Sequence, residues 1–168
     1  HNKLMTIVNT GDDTVMHGLS ISPDLDTVTY TVSESIDPER GWGLANETFV
    51  TMENLARFTA VRPAQSLAGE SWFGLGNRDL ATHFYRTTRL AEGATLAEVT
   101  AEITQAFNIP FRILPMTNER VSTMVTLIDG SEISFQEYFV KLRHSVAIQS
   151  VRFAGINEAT ALGLDDMR

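Results

Sequence analysis

Ile7-Val-Asn-Thr-Gly-Asp-Asp-Thr-Val-Met-His-Gly-Leu-Ser-Ile-Ser-Pro-Asp-Leu-Asp-Thr27 is the stretch on which the reading of this chain turns. The apolar run Leu4 to Val8 leads into it. A strand covered on both faces needs no polar alternation, so this run reads as a buried parallel strand. Asn9-Thr10-Gly11-Asp12-Asp13 follows as a polar turn at the strand's carboxyl end, where open α/β sheets hold their ligands. Asp24 and Asp26 come next, behind Pro23. Asp12, Asp13, Asp24 and Asp26 repel one another unless a cation or hydrogen-bond donors compensate them. A metal site therefore competes with a solvated acidic loop.

Length and composition bound the class. A chain of 168 residues makes one domain with a sizeable core. Hydrophobic residues at 43% and charged residues at 20% are ordinary for a soluble globular protein. No apolar run approaches the roughly 20 residues of a membrane span, and no signal-peptide pattern opens the chain. The absence of cysteine excludes disulfides, zinc–thiolate sites and thiol catalysis, and fits a cytoplasmic protein. A net charge of −8 argues against non-specific nucleic-acid binding. It leaves open a phosphorylated substrate held through a metal and a few arginines. The chain opens on His1-Asn2-Lys3, enters a strand at once, and ends on Asp165-Asp166-Met167-Arg168 without a closing element. Both ends read as those of a piece of a longer protein.

Outward from the acidic stretch, Thr27 to Val32 alternates threonine with Val28, Tyr30 and Val32. That pattern favours a strand, while an aspartate-capped helix from near Asp24 competes, and the sequence leaves the two open. Ile36 to Gly43 is a turn-rich loop in which Trp42 reads first as a packing anchor and second as a substrate platform. Asn46 is placed as the cap of a helix through about Phe58, with Phe49, Met52, Leu55 and Ala56 on one face. Thr59 to Ser71 is a connector. Arg78-Asp79 opens a helix to about Leu90. Arginine at a helix start opposes the macrodipole, and an anion or carboxylate partner would explain it. Thr95 to Glu98 is a capping box ahead of a core-packing helix. Phe111 to Leu114 is a strand, and Thr123 to Phe135 a hairpin whose Asp129-Gly130 suits a two-residue type I′ turn. Gln136 to Leu142 is a short helix and Val146 to Phe153 a last strand.

Interleaved helix, strand and hairpin signals make the class α/β. Asp24-Leu25-Asp26-Thr27-Val28 resembles the nucleophile loop of haloacid-dehalogenase-like phosphatases, but Pro23 stands where that loop needs a central strand. Read in order, a larger set of motifs carries a different likeness. Val8 to Asp13, Ile21 to Thr27, Ile36 to Gly43 and Leu75 to His83 come first. Arg89 to Leu96, Leu114-Pro115-Met116 and Phe135 to Tyr138 follow. From about Leu4 to Ala159 the set closely resembles the 2-phospho-L-lactate transferase family of coenzyme F-420 biosynthesis.

The resemblance implies a Mg²⁺-dependent transferase of Rossmann-like α/β fold, with a mostly parallel sheet and an inserted helical and β-hairpin subdomain, usually a homodimer. A ribityl hydroxyl of the deazaflavin FO would attack the lactyl- or enolpyruvyl-diphosphoguanosine donor and release GMP. Carried onto matching positions, Asp12 and Asp26 are the catalytic metal carboxylates, with Asp13 or Asp24 in support. Asp26 also meets the attacking hydroxyl, Arg78 and Asp79 help hold FO, and Asn9 contacts the donor's phosphates. His17 and His83 read as packing or hydrogen-bonding residues ahead of general bases, and Arg86 and Arg89 as a solvated helix face ahead of an anion site. Asp26→Asn is expected to abolish activity while leaving the fold intact.

The departures are Asn77, where the family has aspartate, and Thr117-Asn118-Glu119-Arg120 after Met116. The family's opening strand, its glycine-rich loop and its later Pro-Ser-Asn-Pro-type loop have no counterpart in this sequence. The expected layout is a single partial domain over 1–168: acidic loops in 1–35, the insertion in 36–145, and a return strand with a truncated end in 146–168. The competing function is a non-catalytic fragment that binds deazaflavin or metal without turnover. Neither nucleic acid nor a membrane is an expected partner.

Overall fold

The computed structural model describes residues 4–163; both chain termini named above lie outside them. Strand β1 (Met5–Val8) pairs in parallel with β4 (Arg112–Pro115), Val8 standing opposite Pro115. Helix α1 (Pro23–Val32) and helix α4 (Leu96–Ala106) cover this pair. Val8, Leu25, Leu96 and Ile113 form its core, with Val28, Leu90, Ile109 and Phe111 packed against them. Each such side chain, fully buried, contributes roughly 1.5–3 kcal/mol of transfer free energy.

The choice between strand and helix after Pro23 falls to the helix. Proline sits in its first turn, where no N–H is needed, and Asp24 and Asp26 face the positive end of the dipole. Its buried residues are Leu25, Asp26, Thr29 and Tyr30, a helical spacing that underlies the Thr/Val alternation.

A hairpin that the sequence reading did not anticipate lies inside the decisive stretch. Strands β2 (Thr14–Met16) and β3 (Leu19–Ile21) are antiparallel, joined by His17 and Gly18, both at positive φ (53° and 78°). Two positive φ values are what a type I′ turn requires. Met16 and Ile21 from this hairpin, Met52 from α2 (Val50–Ala56), Leu75 ahead of α3 (Asp79–Ala91) and Leu80 within it make a second core.

Two local expectations are corrected. Asn46 does not cap α2: it is itself left-handed (φ 56°), and the helix starts after Phe49. The helical run is also broken, passing into a 3₁₀ turn over Arg57–Ala60. The later hairpin, β5 (Ser122–Leu127) with β6 (Glu132–Ser134), does not turn on two residues. Gly130 N donates to Leu127 O and only Gly130 has positive φ (84°), so the connection spans three residues and leaves Asp129 in an ordinary conformation.

Gln136 to Leu142 becomes a π-helical turn over Glu137–Lys141. Strand β7 (Ile148–Ala154) then runs antiparallel to β5. The architecture is mixed α/β. Its parallel pairing is β1 with β4, the latter drawn from within 36–145, and the other two sheets of the described residues are antiparallel.

Candidate functional site

Asp26 lies on the inner face of α1 and is 5% exposed. Across from it, α3 presents Asp79, His83 and Arg86 on one inward face, as the i, i+4, i+7 spacing dictates. The Arg86 guanidinium grips both Asp26 oxygens: Nη2 on Oδ1, and Nη1 3.1 Å from Oδ2. His83 stands between the two carboxylates, Nδ1 3.6 Å from Asp26 and Nε2 3.3 Å from Asp79. The Tyr30 hydroxyl donates to Asp79 and also lies 2.9 Å from Thr82 Oγ1. Five ionisable groups thus form one buried ladder, Arg86–Asp26–His83–Asp79–Tyr30.

The ladder's electrostatics follow from burial and mutual charge. Burial pushes the Tyr30 phenol far above its ordinary value, and the neighbouring carboxylates push the same way. Burial also pushes Asp79 up, but its contacts with His83, Tyr30 and Arg86 together outweigh that and leave it below the usual carboxylate value. For Arg86 the burial penalty is overcome by Asp26, so the guanidinium is held more firmly charged.

Four members of the ladder, Asp26, Tyr30, Asp79 and His83, line a cavity of about 410 Å³. Asp12, Asp24, Asp26, Asp79 and His83 supply its polar side. Trp42, Phe73, Phe135 and Phe139 supply aromatic walls. Trp42 is both anchor and wall, packed against Phe49 and the Arg40 guanidinium while staying half exposed. Asp12 is raised by burial and by the charge of Asp24, partly offset by a hydrogen bond with Thr123.

The remaining candidates are not in this cavity. Asp13 faces two neighbouring cavities, accepts a 2.7 Å hydrogen bond from Ser22 at the start of α1, and is pushed up to about 7 by burial. Asn9 donates to Asp24 (2.7 Å) and accepts from Gly11 N (2.9 Å), stitching the β1 turn to α1. Among the described residues, the group able to bring three ligand atoms within 4.8 Å of one another is Asp26, Asp79 and His83, rather than Asp12, Asp13 and Asp26.

Arg78 is exposed and donates to Ala45 O (2.6 Å). The partner expected for a charge-opposed helix start is Glu47, whose carboxylate accepts from the N–H groups of Arg78 (2.7 Å) and Asp79 (3.0 Å). Asn77 Oδ1 accepts from Thr51 N (3.1 Å), a task an aspartate oxygen performs equally. In the Thr117–Arg120 loop, Asn118 caps Ala97 at the start of α4 (2.9 Å).

Two expectations change. Arg86 is not on a solvated face; it is 2% exposed and paired. Removing the Asp26 charge strands that guanidinium, so Asp26→Asn cannot leave the fold untouched. His83 is the buried, polar-contacting residue that its sequence context suggests, and tertiary packing, not local sequence, joins it and Tyr30 to Asp26 and Asp79.

Carboxylates from the β1 turn, α1 and α3 and aromatic rings from the loops and the π-helical turn line one cavity of an α/β protein. The chain belongs to the 2-phospho-L-lactate transferase CofD family, whose model matches residues 1–163. A phosphoenolpyruvate transferase of Mycolicibacterium smegmatis is 42% identical over 165 residues, 95% of this chain and 48% of that protein. One of Streptomyces griseus is 43% identical over 159 residues, 93% of this chain and 48% of that protein. This chain therefore spans about half the length of the curated relatives it matches. A crystal structure of a UPF0052-family member from Bacillus halodurans shares the fold, with TM-score 0.52 at 15% identity over 96% of this chain and 46% of that one.

Proposed function

We propose that this chain carries the acceptor and metal part of a transferase that moves an enolpyruvyl-phosphate or phospholactyl group to the deazaflavin FO. The donor is the corresponding diphosphoguanosine and GMP leaves. The observation that carries the reading is one cavity lined both by carboxylates and by the rings of Trp42, Phe73, Phe135 and Phe139. A planar deazaflavin suits the rings, while its ribityl hydroxyl and the transferred phosphoryl group suit the carboxylate side.

Phosphoryl transfer depends on positioning and on neutralising charge. Mg²⁺ takes a few carboxylates and leaves room for phosphate oxygens. Asp12 and Asp26 are the carboxylates assigned to it, with Asp24 beside them and Asp13 supporting α1 through Ser22. When bound, the ion neutralises charge on the transferred group. The names of the relatives at 42–43% identity favour the enolpyruvyl donor over the lactyl one. A biosynthetic transferase of this kind works in the cytoplasm, as the cysteine-free composition suggests, and as a homodimer if it follows its family.

FO fluorescence tests the reading. Saturable quenching on adding the protein, strengthened by Mg²⁺ and converted to product by the diphosphoguanosine donor, is the expected result. Binding without product in a folded protein would instead favour the non-catalytic reading, and no binding would sink both. Asp12→Asn, at a partly exposed position with Thr123 as side-chain hydrogen-bond partner, is expected to lower turnover by at least roughly tenfold with little loss of stability.

A further inference from the structure

Asp26 is the most deeply buried carboxylate in the cavity, and both of its oxygens already rest on one guanidinium. A buried ion pair is seldom better for stability than a well-packed apolar pair of the same volume, so stability alone does not account for this one. What a fork-on-fork contact does supply is geometry: two parallel N–H···O contacts fix the plane of the carboxylate. Arg86 is in turn fixed by its element. Its Nη1 also lies 3.4 Å from Ser20 O, and the adjacent Thr87 hydroxyl accepts from Ser20 N (2.8 Å), so α3 holds β3 at the same place.

We infer that Arg86 is a built-in counter-cation and positioning residue, which sets the Asp26 carboxylate in its working orientation before any divalent cation arrives. The inference rests on the proposed metal role of Asp26. It adds a division of labour: Arg86 holds both oxygens of Asp26 at the cavity lining, while Asp12 and Asp24 have no guanidinium partner among the described residues. Asp12 and Asp24, which line the same cavity, would then hold the cation without competing with Arg86 for Asp26. His83 lies beside the same carboxylate through Nδ1, 3.6 Å from Asp26 Oδ2, while its buried Nε2 faces Asp79 at 3.3 Å.

Two measurements test this and fail separately. Mn²⁺ serves as the probe ion, followed by electron paramagnetic resonance. Arg86→Lys keeps the charge but loses the fork; it is expected to weaken Mn²⁺ binding roughly 10- to 100-fold in a folded protein. The same change at Arg89, on the outer face of α3 and paired with Glu102, is expected to leave it unaltered. Unchanged Mn²⁺ affinity in Arg86→Lys overturns the positioning role.

The second measurement is a urea-unfolding cycle over Asp26→Asn, Arg86→Met and the double variant. A double variant at least as stable as the weaker single one supports the counter-cation; simple addition of the two losses overturns it. A wild-type protein that takes up no Mn²⁺ overturns the metal reading of the cavity, and the unfolding cycle then decides the Arg86–Asp26 coupling alone.

Discussion

Asp26 and Arg86 illustrate how much a single buried charge depends on its partner. Stranding a buried charge costs about 3–5 kcal/mol, so Asp26→Asn should lose that much stability together with any activity, read by urea unfolding. The loss of activity in that variant alone would therefore say little about chemistry; Asp12→Asn is the cleaner probe. Gly76 shows the same dependence through the backbone. A Cβ there would run into the Glu47 carboxylate, which holds the first N–H groups of α3. Gly76→Ala should therefore displace Glu47 and cost about 1–2 kcal/mol, the worth of a helix cap, again read by urea unfolding.

At the level of elements, α4 and its contact with α3 are the best-defined parts. Thr95 accepts from Glu98 N and Glu98 accepts from Thr95 N, a complete capping box. Thr95→Ala should cost about 1 kcal/mol by thermal or chemical unfolding. Arg89 on α3 forks onto Glu102 on α4 (2.9 and 2.8 Å), and this hydrogen-bonded pairing holds Glu102 down at about 2. Because that value is depressed from an ordinary 4.5, the pair's contribution is complete above pH 4.5 and fades as pH falls through about 2. A carbon-detected NMR titration should find Glu102 near 2 in the wild type and shifted up toward 4.5 in Arg89→Gln, short of it because Tyr85 still donates to this carboxylate.

Across the whole molecule, burial is uneven. The two cores gather β1, β4, α1, α4 and the β2–β3 hairpin with α2 and α3, whereas β7 leaves Ile148, Val151 and Phe153 exposed. Exchange protection follows buried contacts. Amides of β7 should therefore exchange faster than those around Val99 and Ile103 in α4, measured by native-state hydrogen exchange. Comparable protection in the two regions would contradict this account of where stability resides.

Much of this was legible in the residues alone. Apolar Met5–Val8 and Arg112–Pro115, the capping box at Thr95 and the helical spacing from Asp79 mark their elements, because these signals arise from neighbours along the chain. So does the acidic pattern of Asp12, Asp24 and Asp26, and so do the ordered motifs that resemble one family. Other features depend on residues distant in sequence. Arg86 reads as surface until α3 packs on α1, Glu47 reads as loop until it caps a helix more than thirty residues away, and the Thr/Val alternation after Pro23 reads as strand until burial selects Leu25, Asp26, Thr29 and Tyr30. Local propensity differs by only tenths of a kcal/mol per residue, while pairing or stranding a buried charge is worth several. The sequence by itself determined the α/β class of the chain and the family it belongs to, because motifs and periodicity lie along the chain. Only tertiary packing decided which carboxylate meets a guanidinium and which one faces the cavity.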